Sequence, residues 1–179
     1  MCDELGNLTI DVSYGGNFYA IIDIQENFKG IGSYTSGQLI RWSRQIRTQI
    51  NKDYSFHHPL DKNIKGCSHI LWGGKPKQKE ADASNAVFYG DKAIDRSPCG
   101  TGTSARMAQW YAKGKLKVGD SFVHESIIGS IFTGQIKSAV SVGNFLGIIP
   151  SIEGSARIIG YNQLIFDPEN PYVKGFQVI

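Results

Sequence analysis

The 179-residue chain has little cysteine, no long apolar run and almost no excess charge. Its three cysteines, Cys2, Cys67 and Cys99, are odd in number, far apart and without CxxC spacing, so neither a disulfide framework nor a zinc site is encoded. Reduced thiols and no bound metal are the expectation. No stretch approaches the ~20 apolar residues of a membrane span, and the first residues lack the charged-then-apolar pattern of a secretory signal. The expected setting is therefore cytoplasmic, with no membrane partner. A formal charge of +3 argues against nucleic acid as a partner. The small basic clusters, at Arg41, Arg44 and Arg47 and at Lys75, Lys77 and Lys79, do not alter that. The lysines sit in GGKPKQKEADASN (73–85), whose Gly, Pro and polar content reads as a solvated loop.

Glycine is plentiful. Twenty-one of them point to many tight turns and at least one site lined by backbone. LTIDVSYGGNFYAIIDI (8–24) predicts two strands broken at Gly15-Gly16-Asn17, with Ile10, Val12 and Tyr14 alternating in the first. Thr35 or Ser36 then caps a helix whose buried face is Leu39, Trp42 or Ser43, Ile46 and Ile50. The turn-rich HHPLDKNIKG (57–66) leads to the strands CSHILW (67–72) and NAVFYG (85–90). A second helix, capped by Thr103 or Ser104, runs through ARMAQWYAK to Gly114. The remainder is expected to be strand-rich: SFVHES, SIIGSIFTGQI, AVSVGNFLGII and GSARIIGYNQLIF (154–166). Strands outnumber helices, so the fold class is α+β, and parallel βαβ winding is not expected.

The chemistry concentrates in DRSPCGTGTSA (95–105). Pro98 sets the approach of the chain to a helix start where Gly100, Thr101 and Gly102 offer unpaired backbone N–H groups. Such a start holds anions, and a thiol placed there feels the positive end of the helix dipole, which favours thiolate. Removing the α-hydrogen of an amino acid without pyridoxal phosphate needs those two things, a base at Cα and donors on the carboxylate where charge develops. Inverting the centre needs a second acid/base group on the opposite face. Rival motifs fit less well. A Walker A loop ends in Gly-Lys-Ser/Thr, and Ser104-Ala105-Arg106 stands here instead; GxSxG is absent. A cysteine hydrolase needs a histidine base, for which His57, His58, His69 and His124 are available. Cys99 as a buried thiol in a Gly-rich turn stays open as the bland reading. Asp95 either faces the pocket and pairs with a substrate amine, or caps its own turn or pairs with Arg96. Tyr89 forms either a pocket wall or core.

DRSPCGTGTSARMA resembles the signature of the proline racemase family, which includes proline racemases, 4-hydroxyproline 2-epimerases and trans-3-hydroxyproline dehydratases. DVSYGGNFYAIID, HHP, GKLKVGDSFVHESIIGSIFTG and GSARIIGYNQLIFDPENPYVKGF resemble further family segments. The resemblance implies a diaminopimelate-epimerase-like fold, with strands wrapped around a central helix as one of two pseudo-symmetric halves, and a cofactor-independent two-thiol mechanism. It assigns Cys99 as one catalytic thiol, Asp95 to the substrate nitrogen, and the amides of Gly100 and Thr101 to the carboxylate. Tyr89, where proline racemases carry an aromatic residue, and Cys67, near a pocket cysteine of proline-specific members, favour proline, although Tyr89 departs from the usual Phe. The family's first half, with its Met-x-Cys-Gly-His loop, has no counterpart in residues 1–179, and Cys2 in MCDELG is followed by no Gly-His. The expectation is a second, C-terminal half of a proline racemase, inactive alone, whose partners are proline or hydroxyproline and either the missing half or a second copy of itself. Hydroxyproline epimerase, dehydratase and a non-catalytic module of the same fold are the alternatives.

Overall fold

A computed structural model describes residue 2 and residues 4–176. Among the described residues one eight-stranded mixed sheet carries the chain, and two α-helices lie on its opposite faces. The strands are β1 (Asp11–Tyr14), β2 (Phe18–Ile22), β3 (Cys67–Gly74), β4 (Ala83–Tyr89), β5 (Ala93–Ile94), β6 (Ser121–Ser126), β7 (Ile131–Val142) and β8 (Phe145–Glu153). Helix α1 (Ser36–Asp53) follows β2 and α2 (Gly100–Ala112) follows β5. The sheet order is β1-β2-β3-β4-β6-β7-β8, with β5 paired to β4 outside that path. Helix α2 touches β1 and β2 at one end of this order and β7 and β8 at the other, so the sheet curls around it.

Side-chain parity divides the core. Ala20, Ile22, Ile70, Trp72, Ala86 and Phe88 face α1, where Leu39, Trp42, Ile46 and Ile50 meet them. Tyr19, Ile21, Leu71 and Val87 face α2 and pack on Ala105. The middle strands are thus buried on both sides, which is why they read as continuous apolar runs. Thr35 begins α1 with a capping box to Gln38, as its side chain and the Gln three residues on dictate. Ser43, polar but fully buried on the apolar face, accepts from Trp72 Nε1 (2.8 Å) and donates to the Leu39 carbonyl (2.6 Å).

Three differences from the sequence expectation have physical causes. The pairs β2/β3 and β4/β6 are parallel, spanned by α1 and by α2; hairpins supply the excess of strands, so strand count alone hid these crossovers. β7 runs unbroken through a register shift between Ile136 and Ser138, so the hairpin turns at Gly143-Asn144 instead of near Lys137. Residues 154–166 form no strand. Ile159, Tyr161, Leu164 and Ile165 stand exposed without a ladder neighbour among the described residues, and alternation without a partner strand does not make a sheet.

Helix α2 is pinned to β1 by polar and steric contacts. Arg106, 2% exposed at its side chain, pairs with Asp23 (2.6 Å) and bonds Gln109 (2.7 Å), while Gln109 and Lys113 reach Asp11. Burial pushes the Asp11 carboxyl up, but the hydrogen bonds from Lys113 and Gln109 outweigh it and hold it below the usual carboxylate range. Gly15 lies so close to α2 that a methyl group there would overlap the Thr101 carbonyl oxygen and the Ala105 amide nitrogen. Both obstacles are helix backbone, which cannot step aside. Gly15→Ala is therefore expected to lower stability by about 3 kcal/mol or more, read as a drop in Tm; a Tm within 2 °C of the parent, ~0.5 kcal/mol at this size, would contradict the close approach.

Candidate active site

Cys99 is the N-cap of α2 and the one non-glycine residue with a positive φ (66°) among the described residues. The first amide bonded within the helix is that of Thr103, to the Cys99 carbonyl (2.7 Å). The amides of Gly100, Thr101 and Gly102 are consequently free beside the thiol, and the helix starts earlier than its Thr103 and Ser104 capping candidates. Those two side chains turn inward: Ser104 bonds the Gly100 carbonyl and Thr103 the buried segment behind the loop.

A left-handed backbone at a residue with a Cβ costs about 1–2 kcal/mol and persists only where its surroundings enforce it. Two sets of contacts do so. In front, the Asp95 carboxylate accepts from the Ser97 amide (2.8 Å) and hydroxyl (2.9 Å), and that hydroxyl accepts from the Cys99 amide (3.1 Å). Behind, the Pro98 carbonyl accepts from Asn85 Nδ2 (2.8 Å) and the Thr103 hydroxyl (3.3 Å), which also contacts His124 Nδ1 (3.0 Å). His124 is fully buried on β6, and burial, reinforced by the Arg106 charge, pushes its imidazole well below the usual histidine range. It is a neutral wedge.

Tyr19 completes the arrangement, and the sequence reading missed it. Its buried hydroxyl lies 3.3 Å from Cys99 Sγ and 2.6 Å from Thr101 Oγ1, and Thr101 Oγ1 is itself 3.6 Å from the sulfur. The signal was a tyrosine inside the apolar strand FYAII, where a hydroxyl needs a partner. His69 on β3 lies against the Tyr19 ring at 4.9 Å between centroids, and burial, with the Arg47 charge, lowers its basicity.

Of the residues singled out from the sequence, Cys99, Gly100 and Thr101 come together at one point. One oxygen of Asp95 serves its own turn, as the capping reading held; Arg96 does not pair with it. Asp95 is tied to the thiol residue through Ser97, whose hydroxyl donates to the carboxylate and accepts from the Cys99 amide. Tyr89, half exposed at the end of β4, shares the parity of Val87 and so the face of Cys99. Cys67 does not join them. Phe18 pairs with Cys67 but Tyr19 pairs with His69, leaving Ser68 as an extra residue. That bulge turns Cys67 to the α1 face, 2% exposed, where burial raises its thiol to about 11. A cleft of about 610 Å³ between β1, α2 and the β7–β8 hairpin is lined by Ser104, Ala108 and Ala112 and not by Cys99. The thiol and its free amides lie outside it.

A family model described as proline racemase matches residues 1–177. The chain belongs to the proline racemase family. Among curated relatives in this family, a 4-hydroxyproline 2-epimerase of Spirosoma linguale is 64% identical over 178 residues, taking in 99% of this chain and 53% of its own. One of Ancylobacter novellus is 57% identical, over 99% of this chain and 54% of its own. The chain spans about half the length of the curated relatives it matches. Among solved structures, a hydroxyproline epimerase from Agrobacterium vitis with bound trans-4-hydroxy-L-proline superposes with a TM-score of 0.79 at 30% identity, over 98% of this chain and 50% of that one. A probable proline racemase from Agrobacterium radiobacter with bound carbonate gives 0.80 at 31%, over 98% and 51%. These likenesses establish the proline racemase fold expected from the signature.

The neutral state of the imidazoles sets a pH dependence. A histidine whose folded pKa lies below its unfolded value, 6.5, stabilises fully above that value and loses this stabilisation as pH falls below it. The depressed Asp11 carboxyl acts lower, its contribution fading only as pH falls below 3.8. Between about pH 6.5 and 4 the decline therefore belongs to His124 and His69. In thermal melts at pH 7.5 and 5, His124→Asn is expected to have a lower Tm at pH 7.5 and a smaller drop between the two; an undiminished drop would show that His124 does not carry it.

Proposed function

We propose that this chain carries one half of the active site of a 4-hydroxyproline 2-epimerase, an amino-acid epimerase without cofactor, with Cys99 as one of its two acid/base thiols. The observation that carries the reading is the junction at Cys99, a thiol and three free amides at the mouth of one helix. The substrate carboxylate sits on the amides of Gly100, Thr101 and Gly102, where the helix dipole favours negative charge. The Cys99 thiolate takes the α-hydrogen: the Cα–H bond breaks, S–H forms, and the electron pair passes into the carboxylate as an enediolate. The amides meet that growing charge without reorganising. Asp95, with its second oxygen unused by the loop, receives the ring ammonium. A second acid on the opposite face returns a proton, and in this reading it comes from the other half of the enzyme.

The hydroxylated substrate replaces the proline expected from Tyr89 and Cys67. Cys67 faces away from the thiol, and curated relatives 64% and 57% identical to this chain carry the hydroxyproline name. The neutral, partly buried His69 beside Tyr19 offers a hydrogen-bonding group suited to a hydroxyl. A single half leaves the clamp open to water, which weakens every charge interaction in it.

The test is proton NMR of trans-4-hydroxy-L-proline in D2O with this chain co-produced with the N-terminal half of the Spirosoma linguale relative. Loss of the α-hydrogen signal with appearance of the cis-D epimer is expected, and Cys99→Ser should slow it by about 10²-fold or more. Equal exchange by Cys99→Ser, or none by the parent pair, would overturn the reading.

A further inference from the structure

The hydroxyls of Tyr19 and Thr101 and the sulfur of Cys99 form a closed triangle with edges of 2.6, 3.3 and 3.6 Å. Nothing in the packing of the strand asks for a phenol at its corner. The Tyr19 ring shares an apolar cluster with Ile21, Leu71, Val87 and Ala105 and lies tilted against the His69 ring, and a phenylalanine would make those contacts equally well. A hydroxyl in a fully buried position costs free energy unless it is bonded. The partners it has here are the sulfur and the residue that flanks it.

We propose that Tyr19 is a catalytic residue of this site, a hydrogen-bond donor whose O–H points to the Cys99 sulfur when it is thiolate and to Thr101 Oγ1 when the sulfur carries the α-proton. The claim rests on the reading of Cys99 as the acid/base thiol. The phenol proton stays on its oxygen throughout. Only its hydrogen bond moves, while the proton that changes owner passes between Cα and sulfur. A switch of this kind needs a donor that never ionises. Burial, followed by the bond to and charge of Cys99, drives the Tyr19 hydroxyl far above the ordinary phenol range, with Asp95 adding to it. A second acceptor must also stand ready, and Thr101 supplies it without leaving the helix that holds the substrate amides.

The experiment uses the chain itself and requires no turnover. Native protein is treated with iodoacetamide at pH 7, and carbamidomethylation of Cys99 and Cys67 is followed by mass spectrometry, with Tm measured alongside. Tyr19→Phe is expected to slow Cys99 labelling about fivefold or more, as loss of a donor to a charged acceptor implies, with Cys67 still protected. A structural role moves the other way, since loosening the loop speeds Cys99 and exposes Cys67. Unchanged or faster Cys99 labelling in a folded Tyr19→Phe protein overturns the proposal. If that variant does not fold, Thr101→Val decides: with its alternative acceptor gone the phenol stays on sulfur, so labelling at least as fast as in the parent with Cys67 still protected supports the proposal, whereas slower labelling, or faster labelling with Cys67 exposed, refutes it. Failure of hydroxyproline exchange with slowed labelling intact would remove the assigned reaction and leave the donor role standing.

Discussion

The site depends on one backbone conformation, the left-handed turn at Cys99. With the ordinary φ of an L residue, the chain would enter α2 along a different path, and neither the thiol nor the three amides behind it would share one point. Local sequence does not favour that turn at a cysteine. It is enforced from both sides, by the Asp95 and Ser97 bonds in front and by Asn85 and Thr103 on the Pro98 carbonyl behind. Asn85 and His124 come from paired strands, so the register of β4 on β6 is built into the position of the thiol.

The sheet sorts its two faces by purpose. Toward α1 it presents Trp72, Phe88 and Ile70 to an aromatic and aliphatic helix face, and nothing there touches the site. Toward α2 it presents Ile21, Leu71 and Val87, with Tyr19 directed at the helix start. Gly15 lets the β1–β2 turn meet the helix backbone, and Arg106 with Asp23 fixes its rotation. The helix that begins at Cys99 is thus the one the sheet encloses.

Much of this was legible in the sequence. Alternation and capping placed α1 with its buried face, and the small residues around Cys99 marked a helix start with free backbone amides. What could not be read depended on non-local pairing. One extra residue at Ser68 reverses the face of Cys67, and a bulge leaves no mark in a single sequence. Tyr19 was hidden because its hydroxyl finds a partner 80 residues away. Residues 154–166 have the alternation of a strand, yet pairing is a property of two segments, and only one is present among the described residues.

The central claim is that the start of α2 holds a carboxylate beside the Cys99 thiol. Amide NMR of the ¹⁵N-labelled chain, titrated with pyrrole-2-carboxylate, tests it most directly, because that planar anion mimics the flattened Cα of the enediolate and is visible even when it binds weakly. The account predicts that the largest shifts fall on Gly100, Thr101 and Gly102. Shifts centred on the cleft between β1 and the β7–β8 hairpin, with those three amides unmoved, would contradict it.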